Sequence, residues 1–155
     1  MPRLGEAEAR RRFTAAPVAR LATVDAAGRP HQVPVVFAHH VPGGADRLVT
    51  AVDHRPKTTT RLKRLANLAR HPAVCLLVDA CDEDWDRLRW VRADGEAGVL
   101  PPGAADPAVR RARETALALL CAKCPRCRAR PPAGPVADIA VLRWTGRRTE
   151  ASESP

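Results

Sequence analysis

Two periodicities of apolar and polar positions alternate along the chain, and the switches between them mark strands and helices. Residues 17–25, PVARLATVD, carry apolar and β-branched side chains of a strand, and DAAGRP behind them supplies the Asp and Gly of a hairpin turn. Residues 31–40, HQVPVVFAHH, read as the return strand, with Pro34 marking an edge or a bulge where a missing donor is harmless. VPGGAD is a second turn, and residues 47–52, RLVTAV, a third strand. Ahead of these, residues 5–13 read as a short polar helix.

From residue 58 to 70 the period becomes helical. Leu62, Leu65, Ala66 and Ala69 form one apolar stripe with Leu68 at its border, and His71-Pro72 ends the run. The continuous apolar run at residues 73–79, AVCLLVD, reads as a strand buried on both faces. Residues 87–100 form a long strand with a bend expected at Gly95 or Gly98. Asp106 and Pro107 are an N-cap followed by proline at the first helical position. Val109, Ala112, Ala116, Leu117 and Leu120 then make the apolar face of a helix. RPPAGP links it to a last strand at residues 136–144. Successive strands with one central and one late helix indicate an α+β fold with a mainly antiparallel sheet or barrel. Neither a βαβ alternation nor GxGxxG is present, which disfavours a dinucleotide-binding fold.

A length of 155 residues is that of one domain. Residues 1–146 are expected to form it, with residues 147–155 as a disordered tail. The formal charge of +9 points to an anionic partner. Aromatics are confined to Phe13, Phe37, Trp85, Trp90 and Trp144, too few for a platform that stacks single-stranded nucleic acid. Lys57, Lys63 and Lys123 are the only lysines among the 26 basic side chains, so part of the charge reflects a general arginine bias. The first residues lack the apolar core of a secretory signal, and no window reaches the length of a membrane span. With five cysteines, an odd number, reduced thiols and a cytoplasmic location are expected.

The most informative stretch is TAVDHRPKTTTRLKR, residues 50–64, where Arg55, Lys57, Arg61, Lys63 and Arg64 face only Asp53. A helix opening near Thr58 or Thr59 directs unpaired N–H groups and its positive dipole end toward Arg55 and Lys57, an arrangement suited to an anion. Thr58, Thr59 and Thr60 add hydroxyls and Arg61 a planar fork. The same residues also suit a threonine-capped helix with a solvated basic face, and Lys63 and Arg64 belong to that face.

Four segments in order, LATVDAAGRPHQVPVVF, LVTAVDHRPKTTTRLKRLANLARHPAVCLLVD, DEDWDRLRWVRADGEAGVL and RPPAGPV…RW, resemble the split-barrel flavin and deazaflavin oxidoreductases related to pyridoxamine-phosphate oxidase. The resemblance is nearest to the actinobacterial branch that uses coenzyme F420, and covers residues 17 to 146. It implies a six-stranded split β-barrel, a homodimer, and a cofactor groove at the dimer interface. By the same resemblance Arg55 and Lys57 hold a phosphate, with Thr50, Ala51 and Thr58 beside it. His31, Gln32, Val33 and Pro34 run along the ring, and Trp85 and Trp90 lie near the mouth. Hydride transfer to an electron-poor unsaturated acceptor is then the expected activity. FMN is the alternative cofactor, a non-catalytic F420 carrier the alternative role, and a basic nucleic-acid-binding domain the alternative class. The oligoglutamate tail of F420 suits the positive charge.

Other features carry less. Cys121, Cys124 and Cys127 have C-x2-C-x2-C spacing but lack a local fourth ligand, so no metal site is expected. Relatives tend to carry tyrosine at the positions of Cys81, Cys124 and Cys127. His39 and His40 are neighbours on a strand and point to opposite faces. His54 adjoins the basic turn, and DEDWD lacks the spacing of an EF-hand loop.

Overall fold

Strand β1 (Val18–Val24) folds back antiparallel on β2 (Pro30–Val36) through a turn built by one carboxylate. Asp25 accepts the backbone N–H groups of Ala27 and Arg29, each at 2.9 Å, while Gly28 takes the positive φ that closes the turn. The computed structural model describes residues 1–52, 58–81, 83 and 89–149, with the backbone alone for residues 58–62. Helix α1 (Glu6–Thr14) precedes β1. After β2 come β3 (Ala38–His40), a 3₁₀ turn at Pro42–Gly44, β4 (Arg47–Ala51), α2 (Thr58–Arg70), β5 (Ala73–Ala80) and β6 (Arg89–Leu100). Helices α3 (Pro107–Lys123) and α4 (Pro125–Ala129) and strand β7 (Val136–Arg148) complete the chain.

Among the described residues seven strands join one antiparallel sheet in the order β2-β1-β5-β6-β7-β4-β3. The count is seven rather than the expected six, because the return strand expected at 31–40 is broken at Phe37. Up to Val36 the chain pairs with β1; from Ala38 it pairs with β4. The two outermost strands are therefore adjacent in sequence, and the sheet curls until its ends meet. Thr50, buried on β4, donates its hydroxyl to the Val36 carbonyl at 2.7 Å across that seam.

Inward-facing positions follow the same break. Val33, Val35 and Phe37 face the main core with Leu21, Leu48, Leu76 and Ile139. Ala38 faces instead a smaller cluster formed with Val49, Val136 and the α3 residues Ala116 and Leu120. Asp106 caps α3 as expected, accepting the Ala108 N–H at 2.8 Å, and Ala112 alone of the expected face is exposed. β5 is not buried on both faces: Val74 and Leu76 are covered, Cys75 and Leu77 only half so. β6 bends at Gly95, where β7 carries an extra residue, Leu142, that bulges out to solvent. A Cβ on Gly95 would lie 2.4 Å from the Ala140 carbonyl oxygen, so the bulge requires glycine. β7 continues to Arg148, four residues past the expected end, because its last residues pair with β6 and with the N-terminal segment.

A polar hub at Asp46, just before β4, ties α1, β3 and β7 together. Asp46 accepts from Arg10 Nε at 2.8 Å and Trp144 Nε1 at 3.0 Å, and pairs with His39 Nε2 at 2.7 Å. Burial alone would raise the Asp46 pKa, but these partners together hold it below its ordinary 3.8. Around the hub Phe13 packs on Phe37 and Trp144 with ring centroids 5.1 and 5.3 Å apart. Lys123 caps the group, 3.6 Å from the Phe37 ring centre and 2.7 Å from the Ala16 carbonyl.

Asp46→Ala is expected to cost roughly 2 kcal/mol through lost charge-assisted hydrogen bonds, a fall in Tm of roughly 4–8 °C by scanning calorimetry. Because the folded-state pKa is depressed, the Asp46 contribution is full above about pH 4–5 and is lost as pH falls through the folded value. The gap between wild type and variant should close accordingly in acid.

Candidate functional site

Helix α2 begins at Thr58, where the sequence placed it, and its thirteen residues lie against β1 and β6. The face it buries differs from the expected stripe. Asn67 and Leu68 are buried, Leu65 is half-buried, and Ala66 and Ala69 are exposed. Leucine offers more apolar area than alanine, and Asn67 Nδ2 donates to Thr23 Oγ1 on β1 at 3.1 Å. These two residues set the helix rotation. An asparagine within a helical run is the sequence signal for such a tether, since asparagine is a poor helix former. Lys63 is solvent-exposed, as read from the basic face.

The Asn67–Thr23 pair lies beside His31, because Thr23 and His31 are direct partners in the β1–β2 ladder and share a face. Among the described residues His31 Nδ1 is buried and has no hydrogen-bond partner. A buried imidazole nitrogen without a partner is costly unless something outside the chain satisfies it. Val33 lies on the same inner face, packed on the core, while Gln32 and Pro34 are exposed on the other. The four β2 candidates are therefore divided between two faces.

Thr50 and Ala51 stand at the far end of β2, since Thr50 is bonded to Val36. From position 31 to position 36 a strand advances roughly 17 Å. Thr50 uses its one donor to close the seam, so its side chain acts in positioning; Ala51 is half-buried. Arg55, Lys57, Trp85 and His54 lie outside the described residues, as does DEDWD apart from Glu83, and Thr58 and Arg61 are described by helical backbone alone. Trp90 is half-buried on β6 opposite Asp79 and Arg147. Extending the β1–β5 register brings its row level with Val36 rather than with His31. His31 and Trp90 are thus not brought together within one chain.

Charge is organised as ion pairs along and between the interior strands of the sheet. Arg20 pairs with Asp79, Asp94 lies between Arg92 and Arg143, and Arg47 holds Asp138 Oδ2 at 2.9 Å. Burial lowers the pKa of His40, which faces that last pair. His39 belongs to the Asp46 hub, so the two histidines serve different faces, as their spacing required. Among the described residues no three His, Cys, Asp or Glu side chains are arranged to hold a metal, and no helix is long and apolar enough to cross a membrane.

A curled antiparallel sheet whose closing strand is broken between its two edges, with helices packed over it, defines an α+β split barrel. The chain belongs to the pyridoxamine 5'-phosphate oxidase family, whose sequence profile matches residues 6–145. Among solved structures it is similar to an FAD-binding protein from Mesorhizobium loti, with a TM-score of 0.69 and 20% identity over 96% of this chain and 98% of that one. A conserved hypothetical protein from Mycobacterium tuberculosis is similar with a TM-score of 0.65 and 21% identity, covering 94% and 85% of the two chains. The FAD binding protein of Mycobacterium smegmatis gives 0.59 and 15%, covering 97% and 100%. At these identities the likeness is one of fold. No curated protein sequence matches the chain significantly.

Asn67→Ala leaves the buried Thr23 hydroxyl without its partner and should destabilise by about 1–2 kcal/mol in urea titration. Asn67→Ala combined with Thr23→Val should recover part of that loss, because the unpaired group is then removed.

Proposed function

We propose that the chain is an oxidoreductase that binds reduced coenzyme F420 and reduces an electron-poor, unsaturated organic acceptor. The observation that carries this reading is the unpartnered, buried Nδ1 of His31 on β2. It stands roughly 17 Å along the strand from the β4 end that leads into the basic turn. That length suits an elongated cofactor with a ring at one end and a phosphate at the other. Family membership supports the same use of the groove.

In this reading Lys57 and Arg55 hold the phosphate with the N–H groups that open α2, and Thr58 and Arg61 flank them. Thr50 and Ala51 fix the strand end from which the turn departs. His31 donates to or accepts from a polar edge of the ring, Val33 backs it, and Gln32 and Pro34 face away toward a second subunit. Bound F420 would supply the hydride; the protein binds, orients and keeps water out. Trp90 would reach the ring from the partner of a homodimer. The apolar exposed pair Val18 and Val36, beside half-buried Leu77 on the same outer face, supports such a dimer.

The FAD-binding descriptions of the Mesorhizobium and M. smegmatis proteins favour a second reading, in which FMN or FAD takes the deazaflavin's place. Fluorescence titration of the protein with F420, FMN and FAD at one ionic strength separates the two. Saturable micromolar binding of F420 with much weaker flavin binding is expected; preference for a flavin overturns the F420 assignment. Tight binding without turnover over an acceptor panel indicates a carrier. If only nucleic acid binds, with affinity falling steeply in salt, the cofactor reading fails.

Lys57→Ala should weaken F420 binding roughly 30-fold, about 2 kcal/mol, through a lost charge-assisted contact. His31→Ala should weaken binding less while shifting the absorption of the bound ring. An unchanged isotherm for Lys57→Ala removes that residue from the site.

A further inference from the structure

Three thiols that the cofactor site does not use meet where α3 joins α4: Cys121 on α3, Cys124 at the junction and Cys127 on α4. Cys124 ends α3, its N–H donating to the Leu120 carbonyl at 2.8 Å, and starts α4. The Cys127 N–H donates to the Cys124 carbonyl at 3.1 Å, so Cys124-Pro125-Arg126-Cys127 is wound into one tight turn. Such a turn holds the two α-carbons within roughly 7 Å, about the span a disulfide bridges, and the Cys124 and Cys127 thiols are hydrogen-bonded to each other. Cys121 is engaged with the backbone instead, its thiol donating to the Cys127 carbonyl oxygen at 3.2 Å. Arg128 fastens the turn to α3, its Nη1 lying 3.0 Å from the Ala122 carbonyl and 3.4 Å from that of Cys121.

The two remaining thiols are in unlike surroundings. Backbone N–H groups of Cys127 and Arg126 approach the Cys124 sulfur, without forming a cap bond, and lower its pKa together with the Cys127 thiol and the Arg126 charge. Burial first, then the neighbouring Cys124 and Cys121 sulfurs, push Cys127 up to about 11. An activated outer thiol beside a protonated, more covered one is the arrangement of a dithiol that closes on itself. The same three sulfurs are not arranged to hold a metal.

We propose that Cys124 and Cys127 form a reversible dithiol–disulfide site, with Cys124 as the attacking thiol and a small disulfide as its oxidant. The Cys124 thiolate attacks one sulfur of the disulfide, forms a mixed disulfide and releases one thiolate, which takes up a proton. Cys127 then attacks the Cys124 sulfur, closes the internal bridge and expels the second thiolate, to which its own proton passes. One external disulfide is reduced to two thiols, and two protein thiols are oxidised by two electrons. Arg126, beside the attacking sulfur, favours a disulfide that carries carboxylates.

Glutathione disulfide is the probe. The reduced, folded protein is treated with it, quenched in acid, unfolded and alkylated with iodoacetamide. Labelling should fall from five cysteines to three, with Cys124 joined to Cys127 in the digest. Closure should be at least ~10-fold faster in the folded protein than in urea, and native Cys124 should alkylate at least ~10-fold faster than Cys127 at pH 7. Cys127→Ser should accumulate a glutathione adduct on Cys124, and Cys121→Ser should still close the bridge. Five labelled cysteines after treatment, a bridge through Cys121, or equal rates in urea would overturn the proposal. The measurement contains no F420 or flavin, so its outcome is independent of the cofactor assignment.

Discussion

The sheet depends on what happens at positions 36 to 38. A twisted antiparallel sheet left open would expose two edges, each a row of unpaired backbone groups. Here the chain runs from one edge to the other without leaving the surface, changing partners from β1 to β4 across Phe37. Neighbouring residues on a strand point to opposite faces. Phe37 can therefore point into the main core while Ala38 points out to α3. The Thr50–Val36 bond and the aromatic group of Phe13, Phe37 and Trp144 hold that junction from both sides.

Local signals were legible in the sequence and long-range ones were not. The Asp25 turn, the Asp106 cap and the start of α2 each depend on a few neighbouring residues, and each stands where the chemistry of those residues put it. The break at Phe37 leaves no glycine or proline at the site, only a continuous run of strand-forming side chains, so residues 31–40 read as one strand. The rotation of α2 was misread for a related reason. A stripe counted by apolarity weighs alanine with leucine, whereas the sheet selects Leu68 and the Asn67–Thr23 bond.

The sequence names candidate site residues without saying where the fold puts them. Alternation along β2 already sends His31 and Val33 to one face and Gln32 and Pro34 to the other, so that much follows from a strand's period. The distance between His31 and Trp90 does not, because it depends on the order β2-β1-β5-β6. The Asp46 hub is harder still. Its members at positions 10, 39, 46 and 144 share no spacing, and only the curl assembles them.

β7 joins two groups of strands that do not otherwise pair: β2-β1-β5-β6 on one side and β4-β3 on the other. It also receives the N-terminal segment, with the Leu4 N–H on the Gly146 carbonyl at 2.9 Å and that of Arg148 on Pro2 at 3.3 Å. During synthesis the earlier strands therefore wait for the latest one. Until β7 emerges from the ribosome, β4 and β6 each lack a neighbour and stay open to wrong pairing. Pairings that close loops this long slow the folding of the sheet.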